Sequence, residues 1–353
     1  MPEQLSLHDQ LHVRLEEKLR RELGAAVLDA LADPRVIEIM LNPDGRLWID
    51  ELGGGMRDTG SRICAAQAEN LLGTIAATLG CVVTPERPIL EGELALDGSR
   101  FCGLLPPVVL APAFCIRKAA ALVYSLDDYV RDGILDGTAP AGVVSIDRPP
   151  THGHAAALRY AIRARQNILV VGGTQSGKTT LTNGLLQELG ASVGSTQRVL
   201  TIEETRELRC TAPNSVALRT TELVDMTRLV RTALRLRPDR IVIGEVRGGE
   251  ALAMLKAWNT GHPGGIATVH ANDARAGLIR LEQLVQEANV PPQPALIAEA
   301  IDLIVVIVRT PVGRKITEIA RVHGTSASGY VIEDIEPAID DGAPQLQRRL
   351  SAV

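Results

Sequence analysis

Residues 167–183 read NILVVGGTQSGKTTLTN, and the rest of the chain is organised around them. Ile168 to Val171 form a four-residue apolar run, short enough for a buried strand. Gly172, Gly173, Thr174, Gln175, Ser176 and Gly177 then turn the chain, and Lys178, Thr179 and Thr180 open a helix. In the pattern G-x-x-x-x-G-K-T, glycines let the backbone approach an anion, main-chain N–H groups point inward, and the helix dipole favours negative charge. The spacing predicts a phosphate cradle: Lys178 reaches the β- and γ-phosphates, and Thr179 offers its hydroxyl to Mg2+. A mere Gly/Ser/Thr turn between strand and helix is the competing reading, and the Lys-Thr pair at the end of the loop disfavours it.

The chain has 353 residues, 45% hydrophobic but only 2% aromatic, so Leu, Ile, Val and Ala must fill its cores. Its 37 basic and 42 acidic side chains leave a net charge of -5, which argues against a broad basic surface for gripping nucleic acid. Five cysteines, Cys64, Cys81, Cys102, Cys115 and Cys210, are odd in number and lack close paired spacing. They are expected as buried reduced thiols, not as a zinc site or disulfide framework. The charged, helical N-terminus is not the basic-then-apolar pattern of an export signal, and the apolar run Leu303 to Val308 is too short to span a bilayer. The expectation is a cytoplasmic protein, with attachment to a membrane complex left open.

Before the loop, the pattern predicts a small α+β domain over residues 1–137. Apolar spacing places a helix over Leu11 to Ala32, ended by Asp33-Pro34. A hairpin follows: strand Val36 to Leu41, turn Asn42 to Gly45, strand Arg46 to Asp50. A helix is expected over Ser61 to Leu79, then strands at Leu94 to Leu96, Arg100 to Leu104 and Ala113 to Arg117, and a short helix at Leu126 to Asp132. Turn-forming residues mark a linker at 138–155, where His152 and His154 are expected to be solvated and without a metal. From 156 to 353 strands alternate with helices. Val199 to Ile202, Ile241 to Ile243 and Gly265 to His270 are strands, and Met226 to Arg235 and Ala251 to Asn259 are helices. Nearly all-apolar strands imply a largely parallel sheet covered on both faces, with ligands bound beyond the carboxyl ends of the strands. Glu203, Glu204, Glu245 and His270 all fall at those ends.

Phosphoryl transfer to water needs a cradle, a metal, a group that orients the water, and positive charge on the phosphoryl oxygens. Glu245, just beyond an apolar strand, is the first candidate to orient or deprotonate water, with an ion pair to Arg247 as its competing use. Gly244 stands where many such enzymes carry an Asp, so Glu203 and Glu204 must supply the missing acid, as metal ligand or as a partner of the base. Plain solvated charge is the alternative for Glu204. His270 is placed to report loss of the γ-phosphate, against a purely structural use.

Four ordered segments, GGTQSGKTTL, VLTIEETREL, RPDRIVIGEVRGGEAL and GHPGGIATVHANDA, resemble the Walker A, Asp box, Walker B and His box of the traffic ATPases of type II and type IV secretion. EIMLNPDGRLWID, GSRFCGLLPPVV and CIRK resemble the N-terminal domain of the conjugation and type IV secretion branch, so the likeness runs from about Leu31 to Tyr330. The resemblance implies a RecA-like P-loop domain preceded by a PAS-like α+β domain, and a homo-hexameric ring with ATP and Mg2+ held between the two domains. It implies Walker A roles for Gly172 to Thr180, the Asp-box acid at Glu203, the Walker B glutamate at Glu245, and the His box at His262 and His270. The second acid of the Asp box is commonly Asp but here is Glu204, one methylene longer, so the metal shell falls to Glu204 or to Glu203. Arg100 and Arg117 stand at positions whose arginines reach the terminal phosphate. Implied partners are inner-membrane components of a conjugation or secretion apparatus, with direct nucleic-acid binding disfavoured. A DNA-translocating ATPase and a nucleotide-gated scaffold are the alternatives. The tail after Val331 matches nothing in the family and is expected to be partly disordered.

Overall fold

The computed structural model describes residues 7–51, 54–118, 123–137, 149–221, 223–311 and 313–337. Residues 138–148, within the expected linker, and the tail from 338 onward lie outside the described residues. The chain divides into two compact units, Met1–Leu122 and Val123–Val353.

The first unit opens with α1 (Leu7–Ala32), which is broken at Gly24, where φ is +72° and ψ 168°. Glycine alone adopts that conformation without strain, so the single predicted helix is two helical pieces. The expected hairpin forms as β1 (Val36–Leu41) and β2 (Arg46–Glu51), and β3 (Gly55–Arg62) adds to its edge. After α2 (Ala65–Thr78) come β4 (Ile89–Glu93), β5 (Arg100–Leu104) and β6 (Ala113–Arg117). These strands make one antiparallel sheet in the order β3-β2-β1-β6-β5-β4. Leu19, Leu23 and Val27 of α1 and Leu71, Leu72 and Ile75 of α2 close one core with Ile39, Leu47, Phe101 and Ile116 of the sheet.

Further sequence expectations fail in this unit. Leu94 to Leu96 are not a strand, because Gly98 N–H donates to Leu94 O and Asp97 accepts from Ser99 N–H, folding 94–99 into the turn between β4 and β5. The helix expected from Ser61 starts at Ala65, because β3 continues to Arg62. The thiols of Cys64 and Cys81 are exposed rather than buried, and all five cysteines are free.

The second unit contains α3 (Leu126–Arg131), α4 (His154–Arg163), β7 (Ile168–Val171), α5 (Lys178–Val193), β8 (Val199–Glu203) and β9 (Ser215–Arg219). These are followed by α6 (Met226–Ala233), β10 (Arg240–Ile243), α7 (Glu250–Asn259), β11 (Ile266–Val269), α8 (Ala274–Gln286), α9 (Pro294–Ala300), β12 (Leu303–Thr310), β13 (Gly313–Ser326) and β14 (Gly329–Asp334). Eight strands form one sheet in the order β14-β13-β12-β7-β11-β10-β8-β9. From β12 to β9 every neighbour is parallel; β13 and β14 return antiparallel.

The four expected strands, β7, β8, β10 and β11, are the centre of this sheet. Their alternation decides the layering. Leu169, Val171, Leu200, Ile202, Ile241 and Ile243 face the helices α6 to α9, while Ile168, Val170, Val199 and Val242 face α3 to α5. Each fully buried aliphatic side chain contributes about 2 kcal/mol, which accounts for the predominance of Ile, Leu and Val in these strands. The helix at 126–131, counted with the first domain from sequence, buries Leu126 and Tyr129 in this second core. His154, expected in solvent, is buried at the start of α4, with Nε2 2.9 Å from the Ile335 carbonyl.

Candidate functional site

Four adjacent strands, β7, β11, β10 and β8, present their carboxyl ends together, and each carries one element of the site. The loop Gly172–Gly177 leaves β7, His270 follows β11, Glu245 lies two residues beyond β10, and Glu203 ends β8 with Glu204 next to it. The sequence places these residues at strand ends; only the strand order makes them neighbours.

The loop has the shape of an anion cradle. A Cβ on Gly172 would collide with the Ile307 carbonyl and the Ser176 hydroxyl, whereas Gly173 has open space. Ser176 is buried, and its Oγ has no hydrogen-bond partner. Gly177 caps α5 at φ +100°, which a side chain would strain. An orphaned buried hydroxyl at a helix N-terminus fits a phosphate group.

Lys178 is 8% exposed. Its ammonium donates to Gly172 O at 2.9 Å and Gly173 O at 3.0 Å, so it lies back across the loop. Burial pushes its pKa down to about 8; Glu245 opposes the shift and Arg247 adds to it. Thr179 and Thr180 are the next residues of α5, both half-buried.

A connected set of charges extends from Lys178. Its Nζ is 3.3 Å from His270 Nδ1 and 3.4 Å from Nε2, and His270 Nε2 is 2.8 Å from Glu245 Oε1. Burial lowers the His270 pKa, and Lys178 lowers it further against the pull of Glu245. The ring therefore lies between the ammonium and the carboxylate, and a proton on Nε2 would be donated to Glu245. Arg247 Nε donates to Glu245 Oε2 at 2.6 Å, and Arg247 Nη1 donates to Glu204 Oε2 at 2.7 Å. Burial works against the Arg247 charge, but Glu245 and Glu204 outweigh it and raise its pKa. The ion pair weighed as Glu245's competing use is therefore present, and Glu204, 48% exposed, pairs with the same arginine.

Glu203 is occupied differently. It is 5% exposed, and its Oε1 accepts from Glu207 N–H at 2.9 Å and Leu208 N–H at 2.7 Å, closing the turn after β8. Asn183 of α5 fixes the same segment through Glu207 O and Arg209 N–H.

His262 is not part of this cluster. Its Nδ1 lies 3.0 Å from Pro238 O, ahead of β10, so His262 sits at the amino ends of β10 and β11 while His270 sits at the carboxyl end. Arg100 and Arg117, in the first unit, are direct cross-strand partners on β5 and β6, and Arg117 Nε donates to Glu38 Oε1 at 2.6 Å.

Sequence reading missed two arginines at the loop. Arg309 and Arg314 are cross-strand partners on β12 and β13. Arg309 Nη1 donates to Gln175 Oε1 at 3.0 Å. Arg314 lies over Gly177, with its Nε 3.2 Å from where a Cβ would stand, and that buried Nε has no hydrogen-bond partner. Both are more than 130 residues from the loop in sequence, so the signal lay only in the apolar run of β12.

The description "Type II/IV secretion system protein" matches residues 150–330, the span that builds this site. The chain belongs to the type II/IV secretion system protein family. A Sinorhizobium fredii relative, "Probable conjugal transfer protein TrbB", is 48% identical over 322 residues, covering 91% of this chain and 94% of its own. The Rhizobium radiobacter "Conjugal transfer protein TrbB" is 46% identical over 322 residues, with the same two coverages. Among solved structures, the Yersinia pseudotuberculosis ATPase DotB is 18% identical with a TM-score of 0.55, over 84% of this chain and 78% of that one. That likeness bears on the fold alone, and it agrees with a RecA-like α/β unit. Among the described residues no helix is long and apolar enough to cross a membrane.

Proposed function

We propose that this secretion-family protein hydrolyses ATP to ADP and phosphate with Mg2+, as a homo-hexameric ring that energises conjugative pilus biogenesis or type IV secretion. The observation that carries the reading is the meeting of loop, ammonium, imidazole and carboxylates on four adjacent strand ends, in a chain nearly half identical to conjugal transfer proteins. In this reading Gly172 to Thr180 hold the triphosphate, and Lys178 turns from the loop carbonyls to the phosphates. Thr179 and Glu204 would hold Mg2+, which when bound draws charge off the phosphoryl oxygens. Glu245 orients the attacking water and takes its proton, Glu203 supports it from β8, and His270 couples Glu245 to Lys178. Arg100 and Arg117, side by side on β5 and β6, would supply positive charge to the terminal phosphate, so that losing it releases their domain.

The protein would work at the cytoplasmic face of the inner membrane through membrane-bound partners of the secretion apparatus, without gripping nucleic acid itself. Lys178→Ala is expected to abolish turnover, and Glu245→Gln to bind ATP but hydrolyse it slowly. Wild-type rates in both would refute the site. Mass measurement with and without a non-hydrolysable ATP analogue tests the ring, which a persistent monomer would contradict.

A further inference from the structure

Glu204 and Glu245 follow β8 and β10, which are hydrogen-bonded parallel neighbours with Ile202 opposite Ile243. Two carboxylates brought together in this way repel, and the phosphates of a nucleotide would add to the negative charge. Arg247 bridges them with one planar fork: Nη1 takes Glu204, while Nε and Nη2 take a single oxygen of Glu245. His270 takes the other Glu245 oxygen. Both oxygens of the carboxylate proposed to handle water are thus occupied by nitrogen donors.

The fork is built to let go. The main chain beneath it is pinned, because Arg247 N–H and Gly248 N–H both donate to Glu250 Oε1, at 2.7 and 2.9 Å. The Arg247 side chain is 49% exposed, so it can swing out without unpacking the core.

We propose that Arg247 is a positioning residue that stands in for the metal's charge: without nucleotide it ties Glu204 to Glu245, and Mg2+ arriving with nucleotide displaces it. This rests on the reading of Glu204 and Glu245 as the metal- and water-handling carboxylates. Its consequence is that Mg2+ alone is kept off the empty site, so metal and nucleotide enter together. A divalent ion outcompetes a single guanidinium when phosphate oxygens complete its shell, and the released guanidinium then swings into solvent.

The test uses the full chain without nucleotide, read by thermal unfolding in MgCl2 against NaCl of matched ionic strength. Wild type should be indifferent to Mg2+. Arg247→Gln should unfold at lower temperature without Mg2+ and gain roughly 2–4 °C at saturating Mg2+. Arg247→Lys, a point charge that reaches one carboxylate, should gain less than Arg247→Gln. A Gln variant blind to Mg2+, or a wild type that gains as much, overturns the proposal.

Should the Gln variant not fold, the wild-type Arg247 Nε–H resonance, assigned by its loss in Arg247→Lys, supplies the answer. Slow solvent exchange that persists when Mg2+ and ADP are added would overturn the lock, and loss of protection supports it. None of these readouts needs turnover. A protein that bound but did not hydrolyse ATP would leave the lock standing, and an active ATPase with a Mg2+-blind Gln variant would remove the lock alone.

Discussion

Glu203 packs against Gly244 so closely that a Cβ on Gly244 would stand 3.1 Å from the Glu203 Cγ. The buried Glu203 side chain of β8 fills the space that a side chain at position 244 would need. Gly244→Ala is expected to cost about 1 kcal/mol, as Glu203 shifts by a few tenths of an ångström, and Gly244→Asp about 3 kcal/mol, as two carboxylates share a buried space. Chemical denaturation of the pair checks the ranking; an Asp variant as stable as wild type would show that Glu203 is not fixed.

The two backbone bonds accepted by Glu203 separate its structural role from its charge. Glu203→Ala leaves the Glu207 and Leu208 N–H groups without their acceptor and should cost about 2–4 kcal/mol. Glu203→Gln keeps a carbonyl acceptor, so its unfolding temperature should stay near wild type while turnover falls by about tenfold. Equal losses of stability in both variants would contradict this division.

Nucleotide affinity should depend on pH through Lys178, whose pKa in the empty site is about 8. Phosphate favours the charged ammonium, so the bound pKa is higher and binding takes up a proton above pH 8. Affinity is therefore full below pH 8 and falls toward about tenfold per unit above it. The same depressed pKa means that empty-state stability rises from pH 8 toward the unfolded lysine value, because the unfolded chain holds the extra proton there. Fluorescent-nucleotide titrations across that range check the slope, and a flat profile would place Lys178 away from the phosphates.

The two histidines of GHPGGIATVH should behave differently. His270→Ala removes the link between Lys178 and Glu245 and is expected to slow turnover at least tenfold with little change in stability. His262→Ala loses a bond to Pro238 O at the far end of the strands, costing about 1 kcal/mol and leaving turnover within about twofold. Matched steady-state and unfolding measurements distinguish them.

Arg314 holds a cation at the positive end of the α5 dipole with a buried, unpartnered Nε, an arrangement that an anion relieves. Arg314→Gln should weaken ATP and ADP binding alike, by roughly tenfold, while raising the stability of the nucleotide-free protein. Calorimetric titration of both nucleotides checks this; unchanged affinity would make Arg314 a packing residue.

Much of this was legible from residue order. The loop 172–177, the apolar strands before Glu203, Glu245 and His270, and the hairpin at 36–51 all have local causes: glycine freedom, strand-length apolar runs and turn residues. Among the strands that were not legible, β3 and β9 have a weak signal. β3 reads GMRDTGSR, polar and largely exposed, and β9 alternates exposed with half-buried residues at the end of its sheet. Neither has the apolar run that marks a buried strand.

The sequence by itself determined that a G-x-x-x-x-G-K-T loop follows a buried strand and that acids and a histidine end the strands after it, because those features depend on neighbours a few residues apart. Tertiary structure decided which of them meet. The order β7-β11-β10-β8 joins Lys178, His270 and Glu245 into one chain of contacts, and β12 and β13 bring Arg309 and Arg314 to the loop from more than 130 residues away. It also decided that Glu203 closes a turn while Glu204, just beyond the end of β8, takes the arginine, adjacent side chains there pointing to opposite faces.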